Sequence, residues 1–127
     1  MKKKIITTLN APAPIGPYNQ AVLSGKTLYI SGQIPLIPNK MEILNSTIEE
    51  EADLVMNNLK AILETAQMTF KHVVKTSIFL NNMDDFAKVN DIYGRYFDND
   101  NAPARETIAV KTLPKSVRVE ISMIAVK

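Results

Sequence analysis

Thr47-Ile48-Glu49-Glu50-Glu51-Ala52-Asp53-Leu54-Val55-Met56-Asn57-Asn58-Leu59-Lys60-Ala61-Ile62-Leu63-Glu64-Thr65-Ala66 carries both signatures of one long helix. The first is at its start. Thr47 followed by Glu50 is a capping box, in which the threonine hydroxyl accepts from a first-turn amide and the glutamate reaches back. Glu49, Glu50 and Glu51 also suit the positive end of the helix dipole. The second is periodic. Ile48, Ala52, Val55, Met56, Leu59, Ile62, Leu63 and Ala66 form one apolar stripe, with Glu49, Asp53, Asn57, Lys60, Glu64 and Gln67 on the opposite face. A helix with one apolar face has to lie on something, and its flanks supply strands.

Upstream, residues 4–9 read as a first strand. Ala11-Pro12-Ala13-Pro14-Ile15-Gly16-Pro17 reads as a loop, since its prolines and glycine exclude helix and central strand. Gln20–Ser24 and Thr27–Ser31, split by Gly25-Lys26, read as a hairpin. Gly32–Asn45, with Pro35 and Pro38, reads as mostly loop with a short extended piece. Downstream, Val73–Leu80 is rich in β-branched residues and reads as a strand. Asn82-Met83-Asp84-Asp85 caps a second helix with Phe86, Val89, Tyr93, Tyr96 and Phe97 inward. Thr107–Thr112 and Val117–Val126 complete the set. The order β-β-β-α-β-α-β-β predicts a single α+β domain over residues 1–127, one mixed sheet with both helices on one face. In the last strand, Val117, Val119, Ile121, Met123 and Ala125 share a face. The other face runs Arg118, Glu120, Ser122, Ile124, Val126, polar then apolar. A second face that is partly apolar predicts burial against another subunit, or a strand end tucked under a loop.

Composition narrows the chemistry. The chain of 127 residues has no cysteine and a single histidine, His72. Thiol nucleophiles and thiolate metal sites are excluded, and a multi-histidine metal cage or a Ser-His-Asp triad is disfavoured. A formal charge of +2 comes from lysines scattered among acids, not the concentrated basic face with stacking aromatics of a nucleic-acid binder. After Met1-Lys2-Lys3-Lys4 only Ile5-Ile6 is apolar, short of the ~7–15 residues of a signal peptide, and no run approaches the ~20 of a membrane span. The expectation is a cytoplasmic protein.

Against fifteen basic residues, only Arg95, Arg105 and Arg118 are arginines. Arg105 lies in Ala102-Pro103-Ala104-Arg105-Glu106-Thr107-Ile108-Ala109-Val110, where a proline-bearing loop enters a strand. A guanidinium is a planar fork of donors that holds a carboxylate or phosphate in one orientation. Position alone also allows a strand-edge arginine in water. Strand alternation puts Thr107 on the Arg105 face and Glu106 on the other.

Gly16-Pro17-Tyr18-Asn19-Gln20-Ala21, Ser31-Gly32-Gln33-Ile34-Pro35, Val89-Asn90-Asp91-Ile92-Tyr93, Pro103-Ala104-Arg105, and Leu113-Pro114-Lys115 with Val119-Glu120-Ile121 come in the order and spacing of the RidA/YjgF family. Each motif is weak alone, but five in register over the whole chain are specific. The resemblance implies a chorismate-mutase-like fold and a homotrimer whose sheets form a central barrel, with helices outside and sites in clefts between subunits. It implies hydrolysis of reactive 2-imino acids and their enamine tautomers (2-iminobutanoate, 2-iminopropanoate) to 2-oxo acids and ammonia, without a cofactor or metal. Such intermediates are released by pyridoxal-phosphate dehydratases.

On that resemblance Arg105 would clamp the substrate carboxylate and Glu120 would hold or polarise the attacking water, as the opposite wall. Glu120 is otherwise a strand-face carboxylate paired with Arg118 or a lysine. Tyr18 would close the cleft from a loop, or is a core tyrosine. Ser31 and Gly32 would allow close backbone approach to the ligand, or simply turn the chain. Thr107 would help through its backbone carbonyl. Asn90 belongs to a structural network near the site, and His72 is structural. Many relatives carry serine and cysteine where this chain has Glu106 and Thr107. Glu106 is expected to weaken carboxylate binding unless a lysine neutralises it. A non-catalytic carboxylate-binding module with the same cleft remains the alternative.

Overall fold

A computed structural model describes residues 2–127. Its eight strands and two helices run β1 Lys3–Ile6, β2 Ala21–Ser24, β3 Thr27–Gln33, β4 Leu36–Ile37, β5 Glu42–Ile43, α1 Ile48–Thr65, β6 Val73–Leu80, α2 Phe86–Gly94, β7 Ala104–Ala109 and β8 Val119–Val126. Six strands form one sheet in the order β1-β2-β3-β8-β6-β7, and β4 and β5 pair separately. Among the described residues only β6 and β7 run parallel, joined by the α2 crossover, so the sheet is mixed as expected.

The last strand in sequence is a central strand of the sheet. Its inward residues Val119, Ile121, Met123 and Ala125 are buried with Leu28, Ile30, Ile78 and Leu80, beneath Val55, Met56, Leu59, Ile62 and Leu63 of α1. Fully burying each such side chain contributes about 1.5–3 kcal/mol, so this layer supplies most of the fold's driving force. One register row on the covered face runs Ile6, Ala21, Ile30, Met123, Thr76, Arg105. The adjacent row runs Ile5, Val22, Tyr29, Ile124, Lys75, Ala104 and belongs to the open face. Ile5, Tyr29, Ile108 and Val126 are exposed there, so the open face is the partly apolar one that the β8 alternation predicts.

Several local expectations change. The first strand stops at Ile6, because Thr8 is drawn out of line: its N–H donates to Gln20 Oε1 and its carbonyl accepts from Gln20 Nε2. The segment read as mostly loop holds the β4–β5 hairpin, whose turn places Asn39 and Met41 at positive φ. α2 ends at Gly94, so Tyr96 and Phe97 pack from beyond the helix, with Phe70 between them at ring centroids of 5.2 and 5.4 Å. β7 begins at Ala104 and ends at Ala109, which puts Arg105 inside the strand, and β8 begins at Val119.

The Thr47 cap forms, with Glu50 N–H donating to Oγ1 at 3.1 Å, but Glu50 turns its carboxylate to the Ser46 hydroxyl, at 2.8 Å. Glu51, read as a dipole residue, is buried and paired with Arg118, which also donates to the Ser46 carbonyl at 2.6 Å. That contact ties the start of β8 to the start of α1. Glu51→Ala leaves a partly buried guanidinium unpaired, and we expect a loss of about 2–4 kcal/mol in urea unfolding. Glu64→Ala, on the exposed face of α1, should change stability by less than ~0.5 kcal/mol.

Candidate functional site

The sheet separates the candidate residues into two groups. Tyr18, Ser31, Gly32 and Glu120 line one cavity of about 540 Å³, together with Pro12, Ile15 and Lys115. Arg105, Thr107 and Asn90 lie on the other side, at the β7 edge under α2. Arg105 pairs with Thr76 in the covered row, whereas Glu120 pairs with Phe79 and, through it, Ile108 in the open one. Within one chain, therefore, Glu120 is not the opposite wall of a site around Arg105. The alternating direction of side chains along β6, β7 and β8 forbids it.

The Glu120 group is built around a defect in the sheet. Ile30 pairs with Met123 but Gln33 pairs with Ile121, so β3 spends one extra residue and bulges at Ser31-Gly32. The bulge lets Glu120 fold back over Gly32: a Cβ at position 32 would sit 2.1 Å from Glu120 Oε2. Ser31 Oγ donates to the Asn19 carbonyl at 2.6 Å, and the Tyr18 hydroxyl accepts from Ile15 N–H at 3.1 Å. Tyr18 is thus an exposed loop tyrosine, not a core one. Burial pushes the Glu120 carboxyl pKa up from its ordinary value. Its suggested partner Arg118 is engaged by Glu51 instead.

The proline-rich wall of the cavity hangs on Gln20, which the sequence reading places in a hairpin strand and a motif without a role of its own. Its buried amide donates to the carbonyls of Thr8, Ala11 and Pro12 at 3.0, 3.2 and 2.8 Å. The proline-rich loop thereby keeps its shape without regular structure. Buried Asn58 does the same for β4, donating to the Leu36 carbonyl at 3.0 Å. Lys115, also on the cavity wall, and Ser116 after it both hold positive φ, 55° and 56°. Two left-handed non-glycine residues in succession are an uncommon conformation that clusters at functional sites.

The Arg105 group is a cradle. Nη1 donates to Asn90 Oδ1 at 2.7 Å, and the guanidinium carbon lies 5.0 Å from the centre of the Tyr93 ring and 5.7 Å from that of Phe86. Tyr93 is itself fixed, its buried hydroxyl donating to Thr76 Oγ1 at 3.0 Å. Its pKa is raised by that burial, against the lowering effects of Thr76 and Arg105. Phe86, Asn90 and Tyr93 come from successive turns of α2, so one helix face orients the arginine. The sequence pattern marks Phe86 and Tyr93 only as core. Ring faces that pack and also stack a cation look alike in a periodicity.

Glu106 points to the open face. Its carboxylate accepts from the Ser77 hydroxyl and pairs with Lys75 Nζ at 2.9 Å, and those two contacts hold its pKa down. A lysine therefore neutralises the residue expected to dull Arg105, and the sheet stands between the two. His72 serves the chain turn, Nδ1 accepting from Thr69 N–H at 3.0 Å. Among the described residues no three Asp, Glu or His side chains converge as a metal-ligand set, and no helix is long and apolar enough to cross a membrane.

Comparison with known proteins gives this geometry a family. The model of the Endoribonuclease L-PSP family matches residues 8–127. This chain belongs to the YjgF/RidA family. A RutC family protein of Synechocystis sp. is 50% identical, with 99% of this chain and 98% of the relative covered. The 2-iminobutanoate/2-iminopropanoate deaminase of Mus musculus is 46% identical over 98% of this chain and 92% of its own. The crystal structure of E. coli TdcF with bound serine superposes with a TM-score of 0.91 at 40% identity, covering 98% of each chain. The α+β architecture expected from the sequence is thus the fold of the Rid proteins.

Gly32→Ala tests the Glu120 arrangement. The clash falls on the end of a flexible side chain, so thermal stability should change little while the carboxylate swings out of the cavity. A crystal structure of the variant should show Glu120 displaced, and an unmoved Glu120 would contradict the close-approach reading.

Proposed function

We propose that the protein hydrolyses 2-imino acids such as 2-iminobutanoate and 2-iminopropanoate to 2-oxo acids and ammonia, in the cytoplasm and without a cofactor. The observation that carries this reading is the Arg105 cradle. A guanidinium tethered at Nη1 and stacked on Tyr93 retains further donors in a fixed plane, the arrangement that suits a carboxylate. The name of the mouse relative and the serine bound to TdcF point to the same class of small carboxylate-bearing ligand.

The proposed site is completed by a second copy of the chain. The open face, with Ile5, Tyr29, Ile108 and Val126 exposed, packs in a trimer, and the Arg105 cradle of one copy meets the Glu120 cavity of the next. Arg105 holds the carboxylate and fixes the imine carbon. Glu120 accepts a proton from water as the water oxygen bonds to that carbon, giving a carbinolamine. Glu120 returns the proton to the nitrogen. As the C–N bond breaks, Glu120 takes the carbinolamine hydroxyl proton, so that oxygen becomes the carbonyl of the 2-oxo acid. The departing ammonia carries that proton away as ammonium. A protonated imine is electrophilic already, so orientation and one placed water suffice. RNA cleavage, the activity in the family model's description, has no histidine pair to draw on here: His72 is the only histidine and is engaged by Thr69.

Imine generated by a dehydratase should decay faster in the presence of the protein. Arg105→Ala should remove the acceleration and Arg95→Ala, on the far side of α2, should not. Saturable 2-oxo acid binding without acceleration would instead indicate a carboxylate-binding module. Because burial raises the Glu120 pKa, the ionised base is lost at a higher pH than for an ordinary glutamate. The acid limb of kcat/KM should therefore lie at higher pH than for an ordinary glutamate, and Glu120→Gln should abolish that limb together with most activity.

A further inference from the structure

The turn between β7 and β8 holds a side chain that the site described above does not use. Lys115 sits at φ 55° and ψ 21°, and Ser116 follows at φ 56°. This left-handed region disfavours every residue but glycine and, less strongly, asparagine. The turn is also anchored. Leu113 and Val117 are buried at its two ends, and Ser116 N–H donates to the Leu113 carbonyl at 2.9 Å. A lysine kept only for solubility has no need of such a position, so this one calls for a role.

Its surroundings indicate which. Lys115 and Glu120 are the only charged residues among those lining the cavity of about 540 Å³. They do not pair with each other. Neither ion pair among the described residues involves Lys115, and burial alone accounts for the raised Glu120 pKa. One cavity thus carries a carboxylate and an unspent ammonium, set apart from one another. Its volume falls in the ~300–1,000 Å³ range that takes drug-sized ligands, so 2-iminobutanoate leaves much of it unfilled. With Glu120 placing water at the imine carbon, the substrate's side chain extends into the remaining space. An apolar side chain makes no use of the ammonium. A side-chain carboxylate entering the cavity loses water and meets the charge of Glu120, and it needs a cation to offset both.

We propose that Lys115 selects 2-imino acids whose side chain ends in a second carboxylate, of the length of 2-iminoglutarate: its ammonium receives that carboxylate while Arg105 holds the first. This rests on the imine-hydrolysis reading above and adds the class of substrate that the site prefers.

The test compares 2-iminoglutarate with 2-iminopentanoate, which has the same chain length and no second charge. An amino-acid oxidase makes each in situ from glutamate or norvaline, and imine decay is followed with and without the full-length protein. Wild-type kcat/KM should be higher for 2-iminoglutarate. Lys115→Met should lower that value about tenfold or more, as for a lost hydrogen bond between charged groups, and leave 2-iminopentanoate within about twofold. Lys115→Arg should retain the preference. Lys115→Gly should lose it as Lys115→Met does, with a melting temperature level with or above wild type, because glycine relieves the positive φ. A wild-type preference for 2-iminopentanoate overturns the proposal, and so does an equal loss on both imines in Lys115→Met. If wild-type protein accelerates neither imine, the imine-hydrolysis reading fails and this inference with it. If it accelerates both and the ratio is unmoved in Lys115→Met, only this inference fails.

Discussion

The two-residue period of a β-strand governs what this molecule can do. β8 is threaded between β3 and β6, and its inward row has to be apolar to lie under α1. Glu120, between Val119 and Ile121, is then forced to the open face. The same period carried across β6 into β7 forces Arg105 to the covered face. No side-chain rotation brings the two together in one chain, because a hydrogen-bonded sheet lies between them. A reaction that needs both groups needs two copies, and the partly apolar open face offers a surface on which copies can meet.

Buried polar groups hold each half of the site where apolar packing alone would leave it loose. Gln20 fixes the loop that walls the Glu120 cavity, and Asn58 fixes β4 beside it. Glu51 and Arg118 lock the entry of β8 to the entry of α1. On the other face Thr76 fixes Tyr93, while Asn90 and the Tyr93 ring hold the Arg105 guanidinium. Each hydrogen bond contributes about 0.5–1.5 kcal/mol net, and leaving a partner bare costs more, so these contacts determine geometry more than they determine total stability.

The helix at 48–65 was legible because a cap and a long apolar stripe are local signals. The Gly25-Lys26 hairpin and the two-faced β8 were legible for the same reason, and five short motifs in register carried the family. What the sequence could not show was relational. Arg105 and Glu120 each lie on a definable face of their own strand, but which face of the shared sheet each face becomes depends on pairing between distant segments. The Ser31-Gly32 bulge is a register mismatch with a strand about ninety residues away in sequence, and leaves no local trace. The roles of Gln20 and Tyr93 were hidden because a buried amide and a stacking ring are spelled like any other polar and core residue.

Subunit complementation tests the divided site most directly. Arg105→Ala and Glu120→Gln proteins, each inactive alone, are unfolded, mixed in equal amounts and refolded together. If each cleft takes its arginine from one copy and its glutamate from the next, random assembly regenerates intact clefts at about a quarter of the wild-type number, and imine hydrolysis should recover to about that level. A mixture that refolds into mixed oligomers yet stays as inactive as either parent would contradict the account.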